Sequence, residues 1–323
     1  MTWHLLVLGA DSNHPVHQHD RGRTPLQAAA GEGKIETVKI LLKEGSNVNA
    51  RPAPESGVTA LQAAAEYGEI DLVLLLLANS ADVNAPAADK WGITALQAAV
   101  NKDCESLIRL LIESGADVNA SPSMYEGVSA LSAAVYKRNI RVTRLQIDHG
   151  VAVDFLTATG FSVLQSAIQK DLPEIVQLLL DAGADVNAPP RSREGRTALQ
   201  AAVEAGNMRF VQLLLEAGAD VSAPPSPREG ITALQAAAKG GYLGIAMKLL
   251  EAGADVNEPP PPDGGRTALQ EAAMNGRIDM VQLLLNAGID QSGYGEVWFQ
   301  VTIQLARDFG NFAVVDLLES HVG

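Results

Sequence analysis

The chain repeats itself with a period of 35 residues, and this periodicity constrains the fold more than any other sequence feature. The pattern Gly-x-Thr/Ser-x-Leu recurs at intervals of 35 residues, with a single interval of 33. It begins at Gly22, Gly57, Gly92, Gly127, Gly160, Gly195, Gly230 and Gly265. A period of about 20–50 residues indicates a stack of similar structural units. One repetitive array therefore replaces the two domains that a length of 323 residues suggests.

Each unit predicts two short helices followed by a loop. In the second unit, Thr59 can cap a first helix over 60–67, which Gly68 ends, and a second helix follows over 70–78. An Asn/Asp turn and a Pro-rich loop then lead to the next glycine. Helices of eight or nine residues are marginal alone, so neighbouring units must stack. The composition, 47% hydrophobic but only 4% aromatic, suits thin layers of small side chains.

The unit resembles the ankyrin repeat. The run Thr-Pro-Leu-Gln-Ala-Ala at 24–29 matches that family's Thr-Pro-Leu-His-x-Ala signature, with Gln27 in place of His. The resemblance covers nearly the whole chain and implies an all-α ankyrin-repeat solenoid, a right-handed stack with a concave groove. The amide recurs at Gln62, Gln97, Gln165, Gln200, Gln235 and Gln270. Because an amide both donates and accepts, we expect it to replace the inter-repeat hydrogen bonds of the family's His.

We expect one solenoid over residues 1–323. A partial repeat and loop would occupy 1–21, eight ankyrin repeats 22–290, and a degenerate ninth, capping repeat 291–323. The last segment is rich in aromatic residues: Tyr294, Trp298, Phe299, Phe309 and Phe312. We interpret them as sealing the end of the stack, and an aromatic site is the alternative. The repeat phrasing also looks like arrays in fungal proteins that carry a NACHT nucleotide-binding domain, but this sequence has no Walker-type glycine loop.

Charge and cysteine content limit the possible partners and compartments. The formal charge of −14 argues against binding to nucleic acid or to an anionic membrane, both of which require a basic face. The single cysteine, Cys104, fits a reducing compartment, so we expect a cytoplasmic or nuclear protein rather than a secreted one. A monomer is expected.

Departures from the repeat cluster in the middle of the chain. The glycine that ends the first helix is replaced by Asp103, Arg138 and Asp171 in three consecutive repeats. A left-handed backbone at this position costs a residue other than glycine about 1–2 kcal/mol, and Asp tolerates it better than Arg. Three lysines occupy the preceding column: Lys102, Lys137 and Lys170. In the ankyrin family this column faces the concave groove. Residues 86–175 also carry a net charge of only −2.

The fourth repeat departs on its buried side as well. Thr143 replaces a valine, Gln146 replaces a leucine, and Ser132 breaks the glutamine column. An unpaired buried amide costs about 1–3 kcal/mol. Gln146 is therefore either hydrogen-bonded across the stack or lines a polar space.

The first functional hypothesis is a non-catalytic protein–protein interaction module. Its site would be the groove and loop tips of the central repeats, about 86–174. We predict that Trp91, Lys102, Asp103, Tyr125, Tyr136, Lys137, Arg138, Phe161, Lys170 and Asp171 form the site. Lysines framed by aromatic residues suggest a protein partner with an acidic, partly apolar surface. Neutral divergence of the middle repeats is the competing interpretation.

The second hypothesis is a small-molecule-binding protein or atypical enzyme, with a polar pocket in the same repeats. Its acid–base candidates are Lys102, Asp103, Tyr136, Arg138 and His149. No nucleophile elbow, phosphate loop or zinc-protease motif is present, and no cofactor is predicted. His14, His17, His19 and Asp20 could ligate a metal ion, but their spacing matches no standard zinc motif, so we expect no metal site.

Overall fold

All regular secondary structure in the described part of the chain is helical. The computed structural model describes residues 13, 23–53, 57–90, 92–121, 128–154, 161–189, 195–226, 230–260, 265–290 and 294–321. Eighteen helices lie within these ranges. The chain divides into two compact units, 1–159 and 160–323. The helices confirm the predicted all-α class, whereas the division into 1–21, 22–290 and 291–323 stays a prediction.

The described residues of the first unit form four pairs of helices. They are α1 (Pro25–Gly31), α2 (Ile35–Lys43), α3 (Ala60–Tyr67), α4 (Ile70–Ala78), α5 (Ala95–Lys102), α6 (Glu105–Glu113), α7 (Ala130–Tyr136) and α8 (Ile140–Asp148). Each first helix packs against the second helix of its own repeat, and α1, α3, α5 and α7 pack on one another in succession.

Five pairs lie in the described ranges of the second unit. They are α9 (Val163–Gln169), α10 (Pro173–Asp181), α11 (Ala198–Glu204), α12 (Met208–Glu216), α13 (Ala233–Gly240), α14 (Leu243–Glu251), α15 (Ala268–Met274), α16 (Ile278–Asn286), α17 (Tyr294–Asp308) and α18 (Phe312–His321). The first helices α9, α11, α13, α15 and α17 pack in succession, as do the second helices α12, α14, α16 and α18.

Glutamine caps the first helix and connects it to the next repeat. The backbone N–H of Gln62 donates to Thr59 Oγ1 at 3.2 Å, while Gln62 Oε1 accepts the backbone N–H of Thr59 at 2.9 Å. Gln62 Nε2 donates to the carbonyl oxygens of Ala85 and Pro86, at 2.9 and 3.1 Å, in the loop that leads to the next repeat. The buried amide of Gln62 therefore bonds to the loop at the end of its own unit, and the predicted inter-repeat bond is seen at Gln165, whose Nε2 also donates to the Arg196 carbonyl of the next repeat at 3.0 Å.

The fourth repeat lacks this connection through its first helix. Ser132 stands in the glutamine column, and among the described residues its short side chain accepts a hydrogen bond from the Ser129 hydroxyl at 2.8 Å and makes no other. The N-cap of α7 is kept, because the backbone N–H of Ser132 donates to Ser129 Oγ at 3.1 Å. The repeat thus retains the local cap and loses the amide that would reach the following loop.

A second inter-repeat connection runs through the turns after the second helices. Asn49 Nδ2 donates to the Ser80 carbonyl at 2.9 Å, and Asn49 Oδ1 accepts the backbone N–H of Asp82 at 2.8 Å. The same pair of bonds recurs at Asn84, Asn119, Asn187 and Asn257. The sequence pattern predicts only a turn at these residues, so the ladder of hydrogen bonds is a finding of the structure.

Where the structure shows the surroundings of the glycine that opens the repeat motif, at Gly57, Gly92 and Gly230, a tight loop requires it. The Gly57 backbone N–H donates to the Ala53 carbonyl at 3.2 Å. A Cβ on Gly57 would lie 2.2 Å from the Ala53 nitrogen, and Gly92 has the same relation to Ala88. Any side chain here would collide with backbone, which explains why the glycine recurs in register.

The helices are short and only part of each surface is buried. Ala64, Leu72 and Leu76 are fully buried in the second repeat, so the layers are thin, as predicted. Among the described residues, no helix combines the length and the apolar character that crossing a membrane requires.

Candidate functional site

The residues that replace the helix-ending glycine have the backbone conformation of glycine. Asp103, Arg138 and Asp171 have φ angles of 62°, 58° and 54°. Gly68 and Gly206, in the same column, have φ angles of 97° and 65°. All five lie in the left-handed region, which confirms the conformation expected from the sequence column.

Two of these replacements are explained by hydrogen bonds inside the stack. Asn139 Nδ2 donates to Asp103 Oδ1 at 2.7 Å, and Asn207 Nδ2 donates to Asp171 Oδ1 at 3.1 Å. The same asparagines cap second helices, since Asn139 Oδ1 accepts from the Val142 N–H at 3.0 Å. The carboxylates of Asp103 and Asp171 therefore join consecutive repeats, a structural role that the site prediction did not include.

Arg138 has no such compensation. Its side chain is exposed and makes no hydrogen bond or ion pair with any residue that the structure describes. Lys137, whose backbone ends α7, is exposed beside it, and Tyr136 is 70% exposed. The strained arginine therefore presents its charge to solvent two residues after the exposed Tyr136.

Lys102 and Lys137 occupy the same column on the packed helices α5 and α7. A Cβ on Gly68 would lie 3.0 Å from Lys102 Cε and 3.2 Å from its Cγ, so the lysine stem lies over the preceding repeat. We call Lys102, Lys137 and Arg138 the cationic face of the first unit.

Of the predicted site residues of the second unit, Asp171 lines a cleft between α9 and α11. The cleft has a volume of about 410 Å³. It is lined by Ile168, Gln169, Asp171, Arg196, Ala201, Glu204, Ala205 and Asn207. Arg196 Nε and Glu204 Oε1 form an ion pair at 2.9 Å, so the principal charges of the cleft neutralise each other. Lys170 and Phe161 are half-buried.

Several predicted residues lie outside the described part of the chain. These are Trp91 and Tyr125 of the interaction site, and the metal candidates His14, His17, His19 and Asp20. Among the described residues, no group of three His, Cys, Asp or Glu side chains is placed to hold a metal ion.

The buried polar residues of the fourth repeat are bonded within that repeat. The Thr143 hydroxyl donates to the Asn139 carbonyl at 2.8 Å, and Gln146 Nε2 donates to the Ala130 carbonyl at 3.3 Å. Gln146 Oε1 is buried and has no partner among the described residues. The bond made by Gln146 Nε2 lies within the repeat and does not cross the stack, and the alternative of a polar space beside Gln146 stays a prediction. The amide instead ties α8 to the start of α7.

The acid–base candidates do not converge on one point. His149 follows the last residue of α8, whereas Arg138 precedes its first residue. A nine-residue helix separates them by about 13 Å. His149 Nδ1 lies 2.8 Å from the Leu145 carbonyl, and with the proton on Nδ1 it donates to this group at the end of the helix. This contact satisfies a free carbonyl rather than preparing the ring for proton transfer with Asp148.

The stacked helix pairs define a class of protein, and a match to a family model defines its family. Stacked helix pairs, most of them joined by side-chain amides, are the construction of a helical repeat protein. A family model of ankyrin repeats, three copies long, matches residues 2–87, 51–122, 95–190, 131–225, 189–260 and 222–293. The chain belongs to the ankyrin repeat family. Ankyrin repeats generally act as protein–protein interaction modules. A search of curated proteins finds no match to the chain.

Proposed function

We propose that this chain is a non-catalytic interaction module that binds a partner protein through the cationic face, Lys102, Lys137 and Arg138. The observation that carries the proposal is Arg138. It holds a left-handed backbone that costs about 1–2 kcal/mol, and no bond with a described residue offsets that cost. Strain of this kind concentrates at functional sites. The left-handed backbone of Asp103, in the same column, does not support a binding site in this way, because its carboxylate accepts a hydrogen bond from Asn139.

The chemistry of the cationic face favours an acidic partner. A guanidinium can donate two parallel hydrogen bonds to a carboxylate, and Lys102 and Lys137 add positive charge in the same column. Tyr136, 70% exposed, provides an apolar ring beside them. We therefore infer an acidic, partly apolar epitope. The single cysteine supports a partner in the cytoplasm or nucleus, and we propose that the chain binds it as a monomer.

The test is affinity capture from an extract of the native organism, with captured proteins quantified by mass spectrometry. The variant Lys137→Glu, Arg138→Glu should weaken capture of the specific partner about 30-fold, which is about 2 kcal/mol. The matched control is Arg141→Glu, Arg144→Glu, which makes the same charge change at exposed positions of α8. The control should retain the partner. Equal capture by both variants would remove the cationic face from the binding site.

A further inference from the structure

The cleft between α9 and α11 opens where the column of long side chains at the end of the first helices is interrupted. Lys102, Lys137 and Lys170 occupy this column in the third to fifth repeats, whereas the sixth repeat has Ala205. In the third repeat the lysine stem lies over the previous repeat, since a Cβ on Gly68 would lie 3.0 Å from Lys102 Cε. The methyl group of Ala205 is too short to cover the fifth repeat in this way, and it lines the cleft instead.

The seventh repeat also lacks a long side chain in this column, but an aromatic ring covers the position. Gly240 stands 35 residues after Ala205, and a Cβ on Gly240 would collide with the ring of Tyr242. The same ring lies against Gly206, where a Cβ would be 2.7 Å from Tyr242 Cζ. Among the described residues, those that line the cleft include no aromatic ring. The cleft therefore belongs to the fifth and sixth repeats in particular.

Part of the cleft lining is apolar. Ile168, Ala201 and Ala205 contribute hydrocarbon surface. Ala201 is half-buried, whereas Ala236, at the same position of the next repeat, is only 3% exposed. The methylene stem of a long polar side chain can lie along a surface of this kind while its charged end stays near solvent.

The polar part of the lining has carboxylate oxygens that are free to accept hydrogen bonds. Asp171 Oδ1 accepts from Asn207 Nδ2 at 3.1 Å, and Glu204 Oε1 accepts from Arg196 Nε at 2.9 Å. The second oxygen of each carboxylate accepts no hydrogen bond from a residue that the structure describes. A ligand that donates hydrogen bonds would therefore find acceptors here.

The charges of the lining favour a cation. Two carboxylates, Asp171 and Glu204, stand against one guanidinium, and Arg196 is paired with Glu204. Asp171 forms no ion pair with any residue in the described part of the chain. Lys170 precedes it in the sequence but is not among the described residues that line the cleft. A positively charged group would complement the carboxylate of Asp171.

We propose that the cleft between α9 and α11 binds a basic side chain, arginine or lysine, of a partner protein. The methylene stem lies along Ala201 and Ala205, and the charged end donates hydrogen bonds to the carboxylate of Asp171. This site has the opposite charge to the cationic face, and it does not depend on the function proposed above.

Titration of the full-length protein with N-acetyl-arginine methylamide, followed by two-dimensional NMR, tests the proposal. The backbone amides of residues 168–171 and 201–207 should shift and reach saturation. The corresponding lysine amide should bind at the same place. The citrulline amide, a neutral isostere of the arginine compound, should bind at least about fivefold more weakly because it has no charge to pair with Asp171. Added salt should weaken the binding of arginine.

A variant of the carboxylate tests the assigned partner. Asp171→Asn should weaken binding of the arginine amide at least about fivefold, because it removes the charge, while asparagine keeps an oxygen for Asn207 and tolerates the left-handed backbone. The matched control is Asp181→Asn. Its carboxylate likewise accepts one amide hydrogen bond, from Gln177 Nε2 at 2.8 Å, but it does not line the cleft. This control should bind as the wild type does.

A second variant tests the cleft without changing the carboxylate. Ala205→Lys introduces the lysine that the three preceding repeats have in this column, and it should abolish binding by filling the cleft. Lys137→Glu, Arg138→Glu should bind the arginine amide as the wild type does, so this proposal and the function proposed above can fail separately.

The proposal is overturned by any of four results. The first is the absence of saturable shifts at residues 168–171 and 201–207. The second is equal binding of the arginine and citrulline amides. The third is binding that Asp171→Asn or Ala205→Lys leaves unchanged. The fourth is tighter binding of free arginine than of its blocked amide, because the cleft would then be a site for a small molecule rather than for a side chain of a protein.

Discussion

A left-handed backbone at a residue other than glycine needs an energetic explanation, and two of the three central examples have one. Asp103 and Asp171 accept hydrogen bonds from the side chains of Asn139 and Asn207 in the following repeat. These bonds, worth about 1 kcal/mol or more because the acceptor is charged, offset much of the conformational cost. Arg138 has the same φ without a comparable bond, so its side chain is retained at a cost in stability.

Replacing Arg138 with glycine should therefore stabilise the protein. Glycine adopts the left-handed conformation without steric penalty, so Arg138→Gly should raise the free energy of unfolding by about 1 kcal/mol. Asp103→Gly is the control, and it should change stability less because it also removes the bond to Asn139. Urea denaturation measures both. A destabilised Arg138→Gly would mean that the guanidinium contributes to folding.

The sequence column predicts the backbone at these positions but not the partners of the side chains. Reading residues 35 apart compares equivalent positions, so glycine elsewhere in the column reveals the positive φ of Asp103. The bond from Asn139 joins two different columns, 36 residues apart, and the periodic comparison does not test such pairs. Gln146 is a similar case, because its partner Ala130 lies within the same repeat.

At the scale of the element, a single glutamine side chain both caps its helix and connects that helix to the following loop. Gln62 completes the cap of α3 through its Oε1 and connects to the next loop through its Nε2. This double use explains why the predicted helices 60–67 and 70–78 match α3 and α4. α17 was not predicted to extend to Tyr294, since the pattern shows only that a cap is missing and not how far back the helix continues.

Removing the Gln62 side chain should lower the free energy of unfolding more than removing the Ser132 side chain, which stands in the same column of the fourth repeat. Gln62→Ala loses the reciprocal cap bond and both bonds to Ala85 and Pro86, and we expect it to lower the free energy of unfolding by about 2–3 kcal/mol. Ser132→Ala, in the same column, should cost less than about 1 kcal/mol, because only the contact with Ser129 is lost. Thermal and urea unfolding compare the two variants. Equal losses would show that the bonds to the loop contribute nothing.

At the scale of the whole molecule, stability should vary along the chain. Repeats contact only their neighbours, so a weak repeat is not rescued by distant ones. The fourth repeat combines the strained Arg138, a Gln146 oxygen that has no partner in the described part of the chain, and the missing amide at Ser132. Each of these features lowers the local free energy of unfolding. We therefore expect the helix pair of the fourth repeat to be the least stable pair in the described part of the first unit.

Hydrogen exchange should locate this weakness. Backbone amides of α7 and α8 should exchange at least about tenfold faster than those of α3 and α4, because their opening free energy is lower by about 1.4 kcal/mol or more. Ser132→Gln combined with Gln146→Leu restores the residues of the other repeats and should slow exchange in α7 and α8 alone. Uniform protection across the four helices in the wild type would contradict this distribution.

The hydrogen bond between Asp103 and Asn139 also limits how such an array can be rearranged by duplication or recombination. Asp103 and Asn139 lie in consecutive repeats. Copying or deleting one 35-residue unit between them would therefore leave an aspartate with a left-handed backbone and no asparagine amide to donate a hydrogen bond to it. The smallest segment that can be exchanged without loss is therefore two units long. The third and fourth repeats, and likewise the fifth and sixth through Asp171 and Asn207, would be inherited as couples rather than as single interchangeable modules.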